Sequence, residues 1–279
     1  MLTGPSAPIG VFDSGIGGLS VLRALRAALP QHDVIYLADS GFAPYGERSD
    51  AFVIARSQAV AAWLVGQGIA ALVVACNTAT AAAIAALRAQ YPDLPIVGVE
   101  PALKPAVGLS RTGHIGVMAT RNTLNSAKYQ TLLATQSGAA LFTSQPCDGL
   151  ATAIEESAAS GDSTQTALLC AQHIAGMGGP TRFGTGAGQM DTLVLGCTHY
   201  PFASDQLQGL VGPGVQLVDN GTAVARQTQR LMPVAPSPHA HPIGRLRLMS
   251  TGQTGPLQAG AKYWLGMSGA EGQVETLLI

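Results

Sequence analysis

Two cysteines stand where a thiol could handle a proton. In "LVVACNTATAAAI" (residues 72 to 84) an apolar run suited to a buried strand reaches Cys76, passes Asn77 and Thr78, and enters an alanine-rich tail that Tyr91 and Pro92 stop. Asn and Thr are good caps and alanine is the best helix former, so a helix is expected over 79 to 90. A thiol just ahead of a helix start meets unpaired N–H groups and the positive end of the dipole, and both favour the thiolate. In "DTLVLGCTHYPF" (191 to 202) the layout recurs. Cys197 ends the apolar run, Thr198 follows, and His199 is close enough on a loop to exchange a proton with a thiol or a ligand.

Free cysteine is also a common small core residue, and Cys147 and Cys170, in plain contexts, read that way. A zinc site built from Cys76, Cys197 and His199 would hold only one of the close ligand pairs that metal sites use, and the histidines at 239 and 241 lie in a proline-rich stretch that reads as solvated. No metal is expected.

The elements that must position these thiols are short and apolar. Runs at 9 to 13, 33 to 38, 71 to 75, 96 to 99, 115 to 119, 192 to 196 and 215 to 219 read as buried strands, and segments with helical spacing, among them 18 to 29, 49 to 65, 79 to 90 and 122 to 135, lie between them. Alternation of this kind predicts an α/β fold of parallel sheets with helices on both faces, in which ligands bind beyond the carboxyl ends of strands. "IGVFDSG" and "HIGVMAT" open two halves of similar plan. The expected domains are 1–98 plus 214–279, carrying Asp13 and Cys76, and 99–213, carrying Cys197 and His199. The glycine-rich segment 176 to 190 reads as a mobile loop.

Composition excludes several classes. The chain has 279 residues, 47% hydrophobic and only 11% charged, with a formal net charge of −1, so no field gathers nucleic acid or anionic lipid. Four widely spaced cysteines without a C-x-x-C pair fit reduced thiols in the cytoplasm, nothing at the amino terminus resembles a secretion signal, and the apolar run around 59 to 75 is broken by Gly66 and Gly68, too early for a membrane span. "FDSGIGGLS" (12 to 20) invites a dinucleotide-binding reading, with Gly15 and Gly17 in place and Asp39 ending the next strand, but Ser20 stands where the third glycine belongs.

Taken in order, "FDSGIGGLSV", "PYGERS", "ACNTAT", "GVEPALKPAV" and "LGCTHYPF" resemble the signature set of the glutamate racemases, in the cofactor-independent aspartate/glutamate racemase superfamily. The resemblance covers about residues 9 to 222. It implies two similar parallel-sheet, three-layer domains facing each other across a central cleft, each supplying one catalytic cysteine, no cofactor, and D-glutamate supply for peptidoglycan. By the same resemblance, Cys76 takes the proton from D-glutamate and Cys197 from L-glutamate, with Asp13 assisting the first thiol and His199 the second. Glu155, in "PCDGLATAIEE", matches a further assisting carboxylate, although Asp148 and Gly149 depart from the usual pattern there. Ser14, Pro44, Tyr45, Gly46, Asn77, Thr78, Thr120, Thr123 and Thr198 match positions that hold the substrate's amino and carboxylate groups. Each of these, taken singly, also suits ordinary capping or turn chemistry. The competing readings are an aspartate racemase, a dinucleotide-binding protein and a noncatalytic amino-acid-binding protein. The expected partner is the small-molecule substrate, with neither nucleic acid nor membrane, and a homodimer is the assembly to test.

Overall fold

Residues 9 to 13 bury every side chain, the mark of a strand covered on both faces. The computed structural model describes residues 7–232, 243–267 and 272–279. In it this strand, β1 (Ile9–Asp13), lies between β2 (Val34–Ala38) and β3 (Ala71–Val74). The sheet continues through β4 (Ile96–Gly98) beyond β3, and through β9 (Leu246–Ser250) and β10 (Val274–Thr276) beyond β2, with every pairing parallel. Helix α1 (Leu19–Ala28) packs against α10 (Gly221–Leu231) and α11 (Thr254–Leu265), while α2 (Asp50–Gly66) packs against α3 (Asn77–Gln90), giving two helical layers around one sheet.

A second parallel sheet has the order β6 (Leu141–Pro146), β5 (His114–Ala119), β7 (Thr192–Leu195), β8 (Gln216–Val218). Its helices fall into two contacting groups. One holds α4 (Leu103–Leu109), α5 (Arg121–Asn125) and α6 (Ala127–Gln136); the other holds α7 (Leu150–Ser160), α8 (Thr164–Gly176) and α9 (Ser204–Val211). The chain divides into two compact units, Met1–Val99 with Gly221–Ile279, and Glu100–Asn220.

The structure departs from the sequence reading in four places. The return to the first unit comes after Asn220 and not at 214, because β8 hydrogen-bonds to β7 and so extends the second sheet. The single helix expected over 122 to 135 is two: Ser126 ends α5 in an extended conformation, and its hydroxyl caps α6 by accepting the Tyr129 N–H at 3.1 Å. Strands β6, β9 and β10 escape the apolar-run search because β6 is a half-exposed edge strand, β9 carries Arg247 and β10 has three residues. The glycine-rich segment expected as a mobile loop is folded back on itself: Phe183 bridges Met190, and the Gln189 side chain accepts the Gly186 N–H and donates to the Thr181 carbonyl. The histidines at 239 and 241 lie outside the described residues. Among the described residues no helix is long and apolar enough to cross a membrane.

One buried carboxylate holds the second sheet's entry. Asp191, 3% exposed just ahead of β7, accepts from Ser110 Oγ and the Arg111 N–H, both at 2.6 Å, and from the Thr112 N–H and Thr192 Oγ1, both at 3.0 Å. Burial pushes its carboxyl up, but the four donors outweigh burial and hold it below the ordinary range. A depressed folded value contributes stability above the unfolded pKa of about 3.9, and that contribution is lost as pH falls through the folded value. Asp191→Ala is therefore expected to cost about 3 kcal/mol in urea unfolding at pH 7, and the gap to the parent protein should narrow below about pH 4.

Candidate active site

In the first unit the candidate residues begin at the end of β3. Cys76 is extended (φ −127°, ψ 122°) and is itself the N-cap of α3; its sulfur accepts the Ala79 N–H at 3.4 Å. The sequence placed that capping role on Asn77 and Thr78, which instead form the first turn. The sulfur thus takes a first-turn donor and lies at the positive end of a 14-residue helix, which favours negative charge there. Cys76 is 5% exposed, and its Sγ lies 3.8 Å from Ser14 Oγ, which in turn donates to Asp13 Oδ1 at 3.3 Å.

Asp13 is fully buried at the end of β1. Its Oδ1 accepts the Ser14 N–H at 2.7 Å, and its Oδ2 accepts the Gly18 N–H at the start of α1. Gly18 is needed for that approach, because a Cβ there would meet Asp13 Cβ at 2.7 Å and the Tyr36 hydroxyl at 2.8 Å. The dinucleotide reading is overturned at this point. The helix start that would hold a pyrophosphate is filled by the chain's own carboxylate, and Asp39, proposed for a ribose, is bonded to Tyr45, Arg56 and Thr251.

Two further features lie near Cys76. Asn77 is 3% exposed, and neither its Nδ2 nor its Oδ1 has a hydrogen-bond partner among the described residues. A buried amide without partners costs about 1–3 kcal/mol, so it is a strong indication of a ligand that supplies them. Thr78 is buried beside it in α3. Pro44, Tyr45 and Gly46 lie in and just ahead of a short 3-10 turn, Tyr45–Glu47, that packs on α3, and the Tyr45 ring shares a buried cluster with Cys76.

In the second unit the candidate residues lie at the end of β7. Gly196 donates to the Met118 carbonyl at 2.7 Å, and a Cβ at this glycine would sit 2.8 Å from the same oxygen, so the chain passes here only without a side chain. Cys197 follows, 6% exposed. His199 Nδ1 lies 3.6 Å from Cys197 Sγ, and its Nε2 lies 2.7 Å from Glu155 Oε1. Glu155 projects from α7, whose entry turn uses Gly149 at φ 77°. That left-handed position explains the glycine beside Asp148. Burial pulls the His199 imidazole down, but the Cys197 and Glu155 hydrogen bonds and charges outweigh it, holding the ring well above its ordinary value. Thr198 is buried between the two catalytic candidates in sequence. Thr120 caps α5, accepting the Thr123 N–H at 3.3 Å and donating to Thr123 Oγ1 at 2.9 Å.

Thus Asp13, Ser14, Tyr45, Asn77 and Thr78 gather with Cys76 in the first unit, and His199, Glu155 and Thr198 with Cys197 in the second. The two cysteine surroundings differ, since Cys197 precedes only a four-residue 3-10 turn, Tyr200–Ala203, and has an imidazole as its partner. Cys147 and Cys170 are buried thiols, and burial raises both, Cys170 to about 11, which suits inert core residues. Sequence reasoning missed Arg56 and Thr251 on Asp39; an arginine inside the apolar stretch 49 to 65 of so weakly charged a chain was the available signal. It also missed Thr80, whose hydroxyl joins the Val99 N–H at 2.9 Å and the Val74 carbonyl at 3.2 Å, tying α3 to the sheet.

A family model described as Asp/Glu/hydantoin racemase matches residues 18–228. A glutamate racemase from Ectopseudomonas mendocina is 46% identical over 260 residues, 93% of this chain and 95% of the relative. Among solved structures, a glutamate racemase isoform from Bacillus anthracis superposes with a TM-score of 0.83 at 28% identity, covering 99% of this chain and 98% of that one. Escherichia coli glutamate racemase, solved with L-glutamate and the activator UDP-MurNAc-Ala, gives 0.81 at 30% identity, covering 98% of each chain.

Because the Glu155 charge is one of the causes that raise His199, Glu155→Gln should move the His199 titration to lower pH in an NMR titration. A raised folded value contributes stability in full below the unfolded pKa of about 6.5 and loses it as pH rises through the folded value. The parent protein should therefore exceed Glu155→Gln in stability most clearly below about pH 6.5; an unmoved titration would mean that the carboxylate does not hold the ring.

Proposed function

The chain belongs to the Asp/Glu/hydantoin racemase family, and we propose that this enzyme interconverts L- and D-glutamate with one thiol drawn from each of its two units. It is an amino-acid racemase, an isomerase. The observation that carries the two-thiol reading is the recurrence, once per unit, of a buried cysteine at the end of a parallel strand beside groups that manage a proton: Ser14 and Asp13 for Cys76, His199 and Glu155 for Cys197.

Racemisation removes the α-proton from one face of a carbon and delivers another to the opposite face, so it needs a base and an acid at once. In this reading Cys197, balanced by the imidazolium of His199, takes the proton of L-glutamate while Cys76 supplies one as a thiol. From D-glutamate the roles exchange, and the start of α3, through the Ala79 N–H, steadies the sulfur of Cys76. No ring system delocalises the developing carbanion, so fixed donors in dry surroundings must hold it. The amide of Asn77 and the hydroxyls of Ser14, Thr78, Thr120, Thr123 and Thr198, with the backbone of Pro44, Tyr45 and Gly46, are assigned to the substrate's amino and carboxylate groups. Support comes from Asn77, which is buried with both polar atoms unpartnered. The setting proposed is the cytoplasm, the product D-glutamate for peptidoglycan, and the assembly a homodimer.

Cys76→Ser and Cys197→Ser are each expected to lower racemisation in both directions by about 10³-fold, followed by circular dichroism and by loss of the α-proton signal in deuterium oxide. Near-normal turnover by either variant would refute the two-thiol assignment. Aspartate differs by one methylene, which is worth roughly 10- to 200-fold in a pocket, and assaying both amino acids separates the two substrate readings.

A further inference from the structure

Asp39 is fully buried at the end of β2 and takes four donors. The Tyr45 hydroxyl and Arg56 Nε, at 2.5 and 3.0 Å, donate to Oδ2, and Arg56 Nη2 and Thr251 Oγ1, each at 2.8 Å, donate to Oδ1. The Arg56 guanidinium also lies 3.5 Å from the centroid of the Phe42 ring. Phe42 and Tyr45 thus bracket Ala43 and Pro44, Phe42 lying against Arg56 and Tyr45 bonded to Asp39, the carboxylate that Arg56 grips. The Asp39 N–H reaches the Asp13 carbonyl at 2.9 Å, so this network starts from the same strand end that carries Asp13. With the hydroxyl proton of Tyr45 given to Asp39 and its ring 1% exposed in the cluster that holds Cys76, the side chain serves as a peg.

We propose that Asp39 and Arg56 are positioning residues for racemisation: their bidentate pair fixes the Tyr45 peg, and through it sets the Pro44–Gly46 backbone that receives the substrate beside Cys76. This rests on the assignment of that backbone to substrate binding. A buried ion pair is seldom a net source of stability, whereas a planar guanidinium holding a carboxylate, with an aromatic face beneath it, defines a single geometry.

The test compares Arg56→Ala, Arg56→Lys, Asp39→Asn and Tyr45→Phe in the full chain, with KM and kcat measured for both enantiomers. Tyr45→Phe keeps the ring packing and so remains folded even where loss of a charge does not permit it. Arg56→Ala and Tyr45→Phe are expected to raise KM for both enantiomers about tenfold with little change in kcat, since the reacting thiols are untouched. Arg56→Lys should recover part of the loss, and Arg56→Ala with Tyr45→Phe should be no worse than the poorer single variant. Variants that melt earlier but keep the parental KM would overturn the proposal, leaving the network a purely structural one. Strict additivity of the double variant would overturn it too. The parent enzyme and Cys76→Ser run in the same assay separate the two failures. If Cys76→Ser turns over normally, the two-thiol reading falls; if it is inactive while the Asp39, Arg56 and Tyr45 variants keep normal KM, only this inference falls.

Discussion

A sulfur that must carry charge inside a protein has to find its counter-charge or its donors locally, because burial opposes the ionised form. Under the proposed two-thiol reading, Cys76 and Cys197 both face that constraint. Cys76 meets it with backbone, at a helix start whose first-turn N–H points at the sulfur. Cys197 meets it with a side chain, an imidazole backed by a carboxylate from a separate helix. The first solution needs only local chain geometry. The second depends on α7 and the end of β7 being held together, and it places a titratable ring beside Cys197.

The scaffold places each thiol just beyond the end of a parallel strand, and a glycine nearby permits a close approach in each unit. Gly18 lets Asp13 reach the start of α1, and Gly196 lets β7 pass the Met118 carbonyl before Cys197. Thr80 ties α3 to the residues after β4, so the helix that supports Cys76 cannot drift from the sheet. In the second unit Asp191 gathers the turn at 110 to 112 before β5 onto the start of β7. Ligand chemistry beyond the carboxyl ends of such strands is the general habit of open α/β sheets.

Carboxylates explain why the glycine-rich entry loop does not bind a dinucleotide. Asp13 already satisfies the N–H groups that a pyrophosphate would need, and Asp39 is consumed by an arginine, a tyrosine and a threonine. A motif that looks phosphate-binding is therefore completed from within. By contrast, the buried amide of Asn77 has no hydrogen-bond partner among the described residues, which is why it is the residue that most supports the proposed substrate site.

Much of this was legible in the chain itself. Buried parallel strands announce themselves as apolar runs, which is why β1, β3, β5 and β7 and the two cysteines at their ends could be read from residue types alone. Resemblance pointed to Asp13, His199 and Glu155, but no spacing in the sequence brings Glu155 within 2.7 Å of a histidine 44 residues later. That contact exists because α7 and the segment after β7 pack in one unit. Half-exposed edge strands, the break at Ser126, the return after Asn220 and the four-way grip on Asp39 were decided only in three dimensions. Periodicity and capping are properties of neighbours along the chain, whereas strand pairing and the partner of a buried charge are set by whatever packing brings beside them.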